Sequence, residues 1–193
     1  MVLLRVLLCP VLVIGARRGW PGRWLGLIVL VALLDDIYDG VLARRWHCDT
    51  PLLRRADTSA DTIFYLGVAL TLWLLFPTIL RANWKLLLAL GLAELTRHAF
   101  DRYKFGKAAS YHSYLAKCWG LVMGLAVIGF LVFGGPRWMI PASVLVGIVA
   151  DAEGLAMSLI LPRWQNDVKT LGAAWRLRSA MLREEGAEAS ATR

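Results

Sequence analysis

The chain has 193 residues, 58% of them hydrophobic, with a mean hydropathy of +0.56 and a formal net charge of +8. This balance excludes a disordered chain or an ordinary water-soluble domain and predicts one compact, all-α integral membrane protein. Three scattered cysteines, Cys9, Cys48 and Cys118, exclude a disulfide framework and a zinc site.

The first apolar segment, residues 2–16, is interrupted only by Arg5. No small-x-small cleavage site follows, so it is expected to be a retained first span instead of a signal peptide. A second span is predicted over residues 24–43 and a third over 57–80. Thr50 as N-cap and Pro51 at the first helical position open the helix of that third span. Further spans are expected at 83–103, 112–133 and 138–162. The stretches 62–80 and 118–136 each run nineteen residues without a charge, which is near the length that crosses a bilayer. The expected architecture is a bundle of six transmembrane helices over residues 1–163. A tail follows over residues 164–193, with an interfacial amphipathic helix over about 165–183 and a disordered end from Gly186.

Six spans place both termini on one side. That side, with the 44–55 and 97–117 segments, carries sixteen Lys and Arg, and the other carries six. The asymmetry predicts cytoplasmic termini and accounts for the positive charge without RNA or DNA as a partner. Trp24, Trp46, Trp84, Trp138 and Trp164 fall near the predicted span ends, as an interfacial aromatic belt requires.

The chemistry concentrates in residues 33–66. Asp36, Asp39, Gly40 and Ala43 recur at i, i+3, i+4 and i+7 on one helix face, and Asp57 and Asp61 are i, i+4 on the next helix. If the two helices turn back on each other through residues 45–56, four carboxylates meet, with Gly40 and Ala43 leaving room beside them. Carboxylates one turn apart repel by roughly 3 kcal/mol per pair at an effective dielectric of 20. Burial in a membrane adds roughly 2.5–3.5 kcal/mol each on the insertion scale. Two Mg²⁺ or Mn²⁺ ions would cancel four negative charges with the oxygen ligands such ions prefer. The alternative is a solvated salt-bridge patch with Arg44, Arg45, Arg54 and Arg55.

The string D-x-x-D-G-x-x-A-R, then eight residues, one position and x-x-x-D-x-x-x-D, resembles the signature of the CDP-alcohol phosphatidyltransferases. Asp36, Asp39, Gly40, Ala43, Arg44, Asp57 and Asp61 match it; Leu53 stands where the family has a second glycine. The resemblance implies a membrane enzyme of phospholipid biosynthesis. It would move a substituted phosphate from a CDP-linked donor such as CDP-diacylglycerol to an alcohol acceptor and release CMP. It implies metal ligation by the four aspartates, with Asp61 as the base, and donor contacts at Gly40, Ala43, Arg44 and Leu53. The expected location is the bacterial inner membrane, with the site near its cytoplasmic face. Leu53 fills space that the glycine leaves open, so the nucleotide pocket is shifted, the donor differs, or activity is lost.

Outside the motif, Arg97, Lys104 and Lys107 cluster between the fourth and fifth spans and are candidates to hold a phosphate of donor or acceptor. Ordinary cytoplasmic loop charge explains them equally well. Asp151 and Glu153 interrupt the sixth span; being i, i+2, they face different ways. Glu153 either pairs with a basic residue of the fourth or fifth span or helps hold the acceptor. Gly120 and Gly124 form G-x-x-x-G, which permits close helix packing within one chain or in a homodimer. Two other readings of the acids are a small divalent-cation transporter and a non-catalytic protein with the family fold.

Overall fold

A computed structural model describes the backbone of residues 2–46, 51–107, 109 and 111–191, and the side chains of residues 3–38, 60–107, 109 and 111–184. Among these residues the chain is all-helical: α1 (Val2–Arg17), α2 (Gly22–Trp46), α3 (Pro51–Leu75), α4 (Pro77–Ala82), α5 (Trp84–Phe105), α6 (Tyr114–Phe133), α7 (Met139–Ile160) and α8 (Leu171–Ala191). Thr50 lies outside the described residues, and Pro51 is the first residue of α3, as its missing N–H favours.

The third span departs from expectation. Its helix stops at Leu75 and does not run to residue 80. Pro77 supplies no backbone N–H and disfavours helical geometry at the residue before it. Phe76 accordingly leaves the helix at φ −132° and ψ 50°, and Pro77 starts the separate six-residue α4. The tail helix also differs, beginning at Leu171 and continuing past Gly186 to Ala191, where the sequence led us to expect disorder.

Two helices, α6 and α7, are long and apolar enough to cross a membrane by length and composition among the described residues; the stretch Ala60–Leu75 is apolar but shorter. α1 has only 16 residues, and α2 and α5 carry charges within their length. The helices that bear Arg5 and the spaced aspartates, α1, α2 and α3, are therefore not among the two that hydropathy marks.

The chain forms two compact units. The first comprises residues 1–84 and 121–141, and the second residues 85–120 and 142–193. In the first unit α1 buries a stripe of Arg5, Leu12 and Ala16, with Cys9 half-buried on the same face. α2 buries Leu25, Val29, Ala32 and Asp35, and α3 buries Ala60, Phe64, Val68 and Leu72. These spacings of three and four keep one face of each helix turned inward. α1 and α3 run parallel and close: the Cys9 thiol reaches the Ile63 carbonyl at 3.5 Å, and a Cβ on Gly67 would lie 2.5 Å from Cys9 Sγ.

α2 returns antiparallel after a turn closed by Gly19 at φ 70°, a left-handed cap that glycine adopts without steric cost. Where α2 begins, a Cβ on Gly22 would stand 1.8 Å from the Leu131 carbonyl oxygen of α6. Only glycine lets those two backbones meet. Phe76 packs edge-on against Phe130, with ring centroids 5.1 Å apart, just where α3 gives way to α4.

In the second unit α7 buries Ser143, Val144, Ala150, Asp151, Met157 and Ser158, followed by Leu161 just beyond its end. Ala109, Tyr111, Val168 and Ala174 complete a core with Met157 and Leu161, so residues beyond Trp164 share that core. Leu177 and Leu182 of α8 are exposed, as are Arg176 and Arg183. Trp24, Trp84 and Trp138 are exposed at or beside the starts of α2, α5 and α7.

Candidate active site

The parallel approach of α1 and α3, with α2 running back between their ends in sequence, carries Arg5, Asp35, Asp36 and Asp61 to one place. Arg5 is four residues before Cys9 and seven before Leu12, so the same stripe that packs α1 also turns its guanidinium inward. Arg5 Nη1 donates to Asp36 Oδ1 at 3.0 Å and to Asp61 Oδ1, while Nε lies 3.4 Å from Asp35 Oδ2. Acids from two helices are thus drawn to one cation.

Exposure separates these acids. The side chains of Arg5 and Asp35 are 2% and 4% exposed, whereas Asp36 is 43% and Asp61 27% exposed. Arg5 and Asp35 are sealed, and Asp36 and Asp61 remain partly open. A buried pair of this kind is strongly destabilised if one member is removed, by about 3–5 kcal/mol.

Of the four predicted metal ligands, Asp36 and Asp61 are brought together by way of Arg5. Asp39 and Asp57 lie on α2 and α3, but their side chains fall outside the described residues, as do those of Gly40, Ala43, Arg44 and Leu53. Among the described residues no three His, Cys, Asp or Glu are grouped to hold a metal ion. The donor chemistry nevertheless fits a hard divalent cation: two carboxylate oxygens from different helices converge on a single positive group.

Asp35 and Arg5 were not among the expected site residues. Both carry a readable signal in retrospect. Asp35 continues the buried spacing of Leu25, Val29 and Ala32, and Arg5 is the one charge on an otherwise apolar helix. A charge on a buried stripe requires a partner, and each is the other's.

The predicted phosphate-binding cations are engaged otherwise. In the second unit Arg97 Nε donates to Asp151 Oδ1 at 2.9 Å, and Gly154 makes room for its chain, since a Cβ there would lie 2.7 Å from Arg97 Cδ. Lys104 Nζ donates to the carbonyls of Ser158 at 2.8 Å and Leu159 at 3.1 Å, satisfying the end of α7. Lys107 Nζ stacks over the Trp164 ring, 3.5 Å from its centroid. Arg178 donates to the Ile160 carbonyl at 2.8 Å. Asp151, and not Glu153, pairs with the basic residue of α5, because Asp151 lies on the buried stripe of α7. Glu153 is half-buried, and its Oε2 has no hydrogen-bond partner among the described residues.

Beside Arg97, Asp101 is fully buried. It accepts from the Ser158 hydroxyl and, at 3.3 Å, from the Ala109 amide. The Tyr111 hydroxyl lies 2.8 Å from Ser158 Oγ, so with the Ser158 proton given to Asp101, Tyr111 donates. Burial pushes the Tyr111 phenol up. This network joins α5, the following loop and α7.

No curated protein and no solved structure matches the chain. A model of the CDP-alcohol phosphatidyltransferase family matches residues 1–162, which include the acid-bearing helices and all the residues gathered around Arg5. The chain therefore belongs to the CDP-alcohol phosphatidyltransferase family.

Proposed function

We propose that this protein is a divalent-metal-dependent transferase that moves a phosphatidyl group from CDP-diacylglycerol to an alcohol and releases CMP. The family supports the transfer of a phosphatidyl group from a CDP-alcohol in a membrane. The observation that carries the finer reading is the convergence of Asp36 and Asp61 on one cation, with both carboxylates still partly open.

Asp36, Asp39, Asp57 and Asp61 would hold two Mg²⁺ or Mn²⁺ ions. Bound there, the ions would supply neutralisation of the donor diphosphate and of the charge developing on CMP. Asp61 receives the proton of the attacking hydroxyl, for which its partial exposure leaves access. Asp36 holds its place across from Asp61 through the shared guanidinium. By the family resemblance Gly40 and Ala43 would give the nucleotide close access, Arg44 would meet the donor's phosphate charge, and Leu53 would shift the nucleotide pocket from its position in a glycine-bearing relative. Arg97, Lys104, Lys107 and Glu153 remain the proposed contacts for a phosphate or acceptor. Glu153 has the stronger claim among them, since Arg97 and Lys104 already serve protein acceptors.

We place six spans in the bacterial inner membrane, with the termini and the acids on the cytoplasmic side, as the distribution of Lys and Arg supports. Gly120, where an added Cβ would meet nothing within 4 Å among the described residues, is compatible with a homodimer contact.

The test is CMP release by purified protein in detergent, supplied with CDP-diacylglycerol, Mg²⁺ or Mn²⁺ and a panel of alcohols. Metal-dependent CMP release with at least one alcohol is expected. Metal flux in proteoliposomes without CMP release would replace the enzyme by a transporter, and metal binding without either would leave a non-catalytic member of the family.

A further inference from the structure

We propose that Arg5 is a positioning residue that acts as the site's internal counter-cation, holding Asp36 and Asp61 together and setting how tightly they take a divalent ion. The inference rests on the metal-dependent reading above. Its basis is the geometry of the first unit: a guanidinium only 2% exposed, on α1, shared between Asp35 and Asp36 of α2 and Asp61 of α3.

A buried cation beside acids has two effects on a metal site. It relieves the repulsion among the carboxylates, so they stay gathered without metal. It also lowers their net negative charge and competes for the oxygen atoms a metal would use. Arg5 Nη1 contacts Oδ1 of both Asp36 and Asp61, so the contest concerns the two acids expected to ligate. Asp35 is different: it is sealed and meets Arg5 at Nε, an atom other than the Nη1 that the two open carboxylates share.

With α2 and α3 holding Asp36 and Asp61 in place, the loss of the competitor outweighs the loss of gathering when the positive charge is removed. The acids lose a competitor, and their uncompensated repulsion is relieved by whatever divalent ion binds. Linkage then requires that the neutral variant bind the ion more tightly and depend on it more for stability. A residue that merely packs α1 against α3 would weaken the site when changed. The signs are opposite.

The experiment measures Mn²⁺ affinity by the electron-paramagnetic-resonance signal of free Mn²⁺, with full-length protein in detergent, for wild type, Arg5→Lys and Arg5→Gln. Arg5→Gln is expected to bind at least about tenfold more tightly, equivalent to about 1.4 kcal/mol, and its thermal midpoint is expected to rise more steeply with Mn²⁺ than that of wild type. Arg5→Lys keeps the charge and is expected to stay within about threefold of wild type. If Arg5→Gln is recovered only with Mn²⁺ present, titration of all three proteins with EDTA reads the same ranking. Unchanged or weaker binding by Arg5→Gln, where wild type binds Mn²⁺, overturns the role of Arg5 and leaves the proposed function standing. Absence of Mn²⁺ binding by wild type overturns both.

Discussion

Two clusters of acids in this protein have opposite designs. Around Arg5, Asp36 and Asp61 are partly open and meet a full charge. Around Ser158, Asp101 is fully buried and is met by a hydroxyl and a backbone amide. A sealed carboxylate whose oxygens are already engaged by local donors has no capacity left for a ligand, and what it provides is a tie between α5 and α7. An open carboxylate turned towards a cation retains oxygen lone pairs for one. On the proposed function the same residue type serves architecture in one unit and chemistry in the other, and the difference lies in exposure and in the charge of the partner.

The largest effect that would break this comparison is on turnover. Asp61→Asn removes the proposed base while keeping the side chain's size, and a fall in kcat of about 10²–10⁴-fold is expected in the CMP-release assay. Normal turnover by that variant would mean that the proton leaves by another route.

Asp101→Leu tests the opposite design. It leaves the Ala109 amide without its acceptor, at about 1–3 kcal/mol for the donor stranded, while the Ser158 hydroxyl turns to the Gly154 carbonyl at 3.2 Å. A lower thermal midpoint in detergent is expected, with turnover per folded molecule retained. Loss of turnover without loss of stability would move Asp101 into the chemistry and erase the contrast.

Gly22→Ala probes how the first unit holds its site. The added Cβ would meet the Leu131 carbonyl oxygen, and overpacking of this kind costs about 1–3 kcal/mol. Because α2 must move to accept it, and α2 carries Asp35 and Asp36, stability and Mn²⁺ affinity are expected to fall together. A drop in stability alone would show the acids to be insulated from the start of α2.

The smallest effect belongs to the loop pair His112 and Asp167. Both have positive φ, 48° and 57°, and their side chains meet at 3.2 Å. Burial pulls the Asp167 carboxyl upward, but hydrogen bonds and charge from Lys169 and His112 outweigh it, and the net shift is downward. A carboxyl lowered by folding contributes stability above its unfolded value of about 3.9, and that contribution is lost as pH falls through the folded value. With both partners half-exposed, less than about 1 kcal/mol is expected. Comparing wild type with Asp167→Asn by thermal unfolding from roughly pH 6 to about pH 3 measures it.

Much of this was legible from residue order. Charge-free runs marked α6 and most of α3, and Pro51 marked where α3 starts. The spacing of Asp36, Asp39, Asp57 and Asp61 carried the family resemblance because acids on a helix that serve one site must share a face, and a face is written into sequence as three- and four-residue steps. The break at Phe76 was also written, in Pro77, but a hydropathy run overrode it. Apolar character says nothing about where a backbone can continue.

The sequence by itself determined that the chain is helical and membrane-seeking, that it belongs with the CDP-alcohol phosphatidyltransferases, and which acids stand in register. Only the tertiary structure decided that Arg5 is the cation Asp36 and Asp61 share, that Asp35 seals it, and that Asp151 rather than Glu153 answers Arg97. Those pairings join residues 30 to 56 positions apart. Helical periodicity determines which face a side chain occupies. Which face of another helix it meets depends on where backbones can approach, and here glycines at 22, 67 and 154 permit that approach.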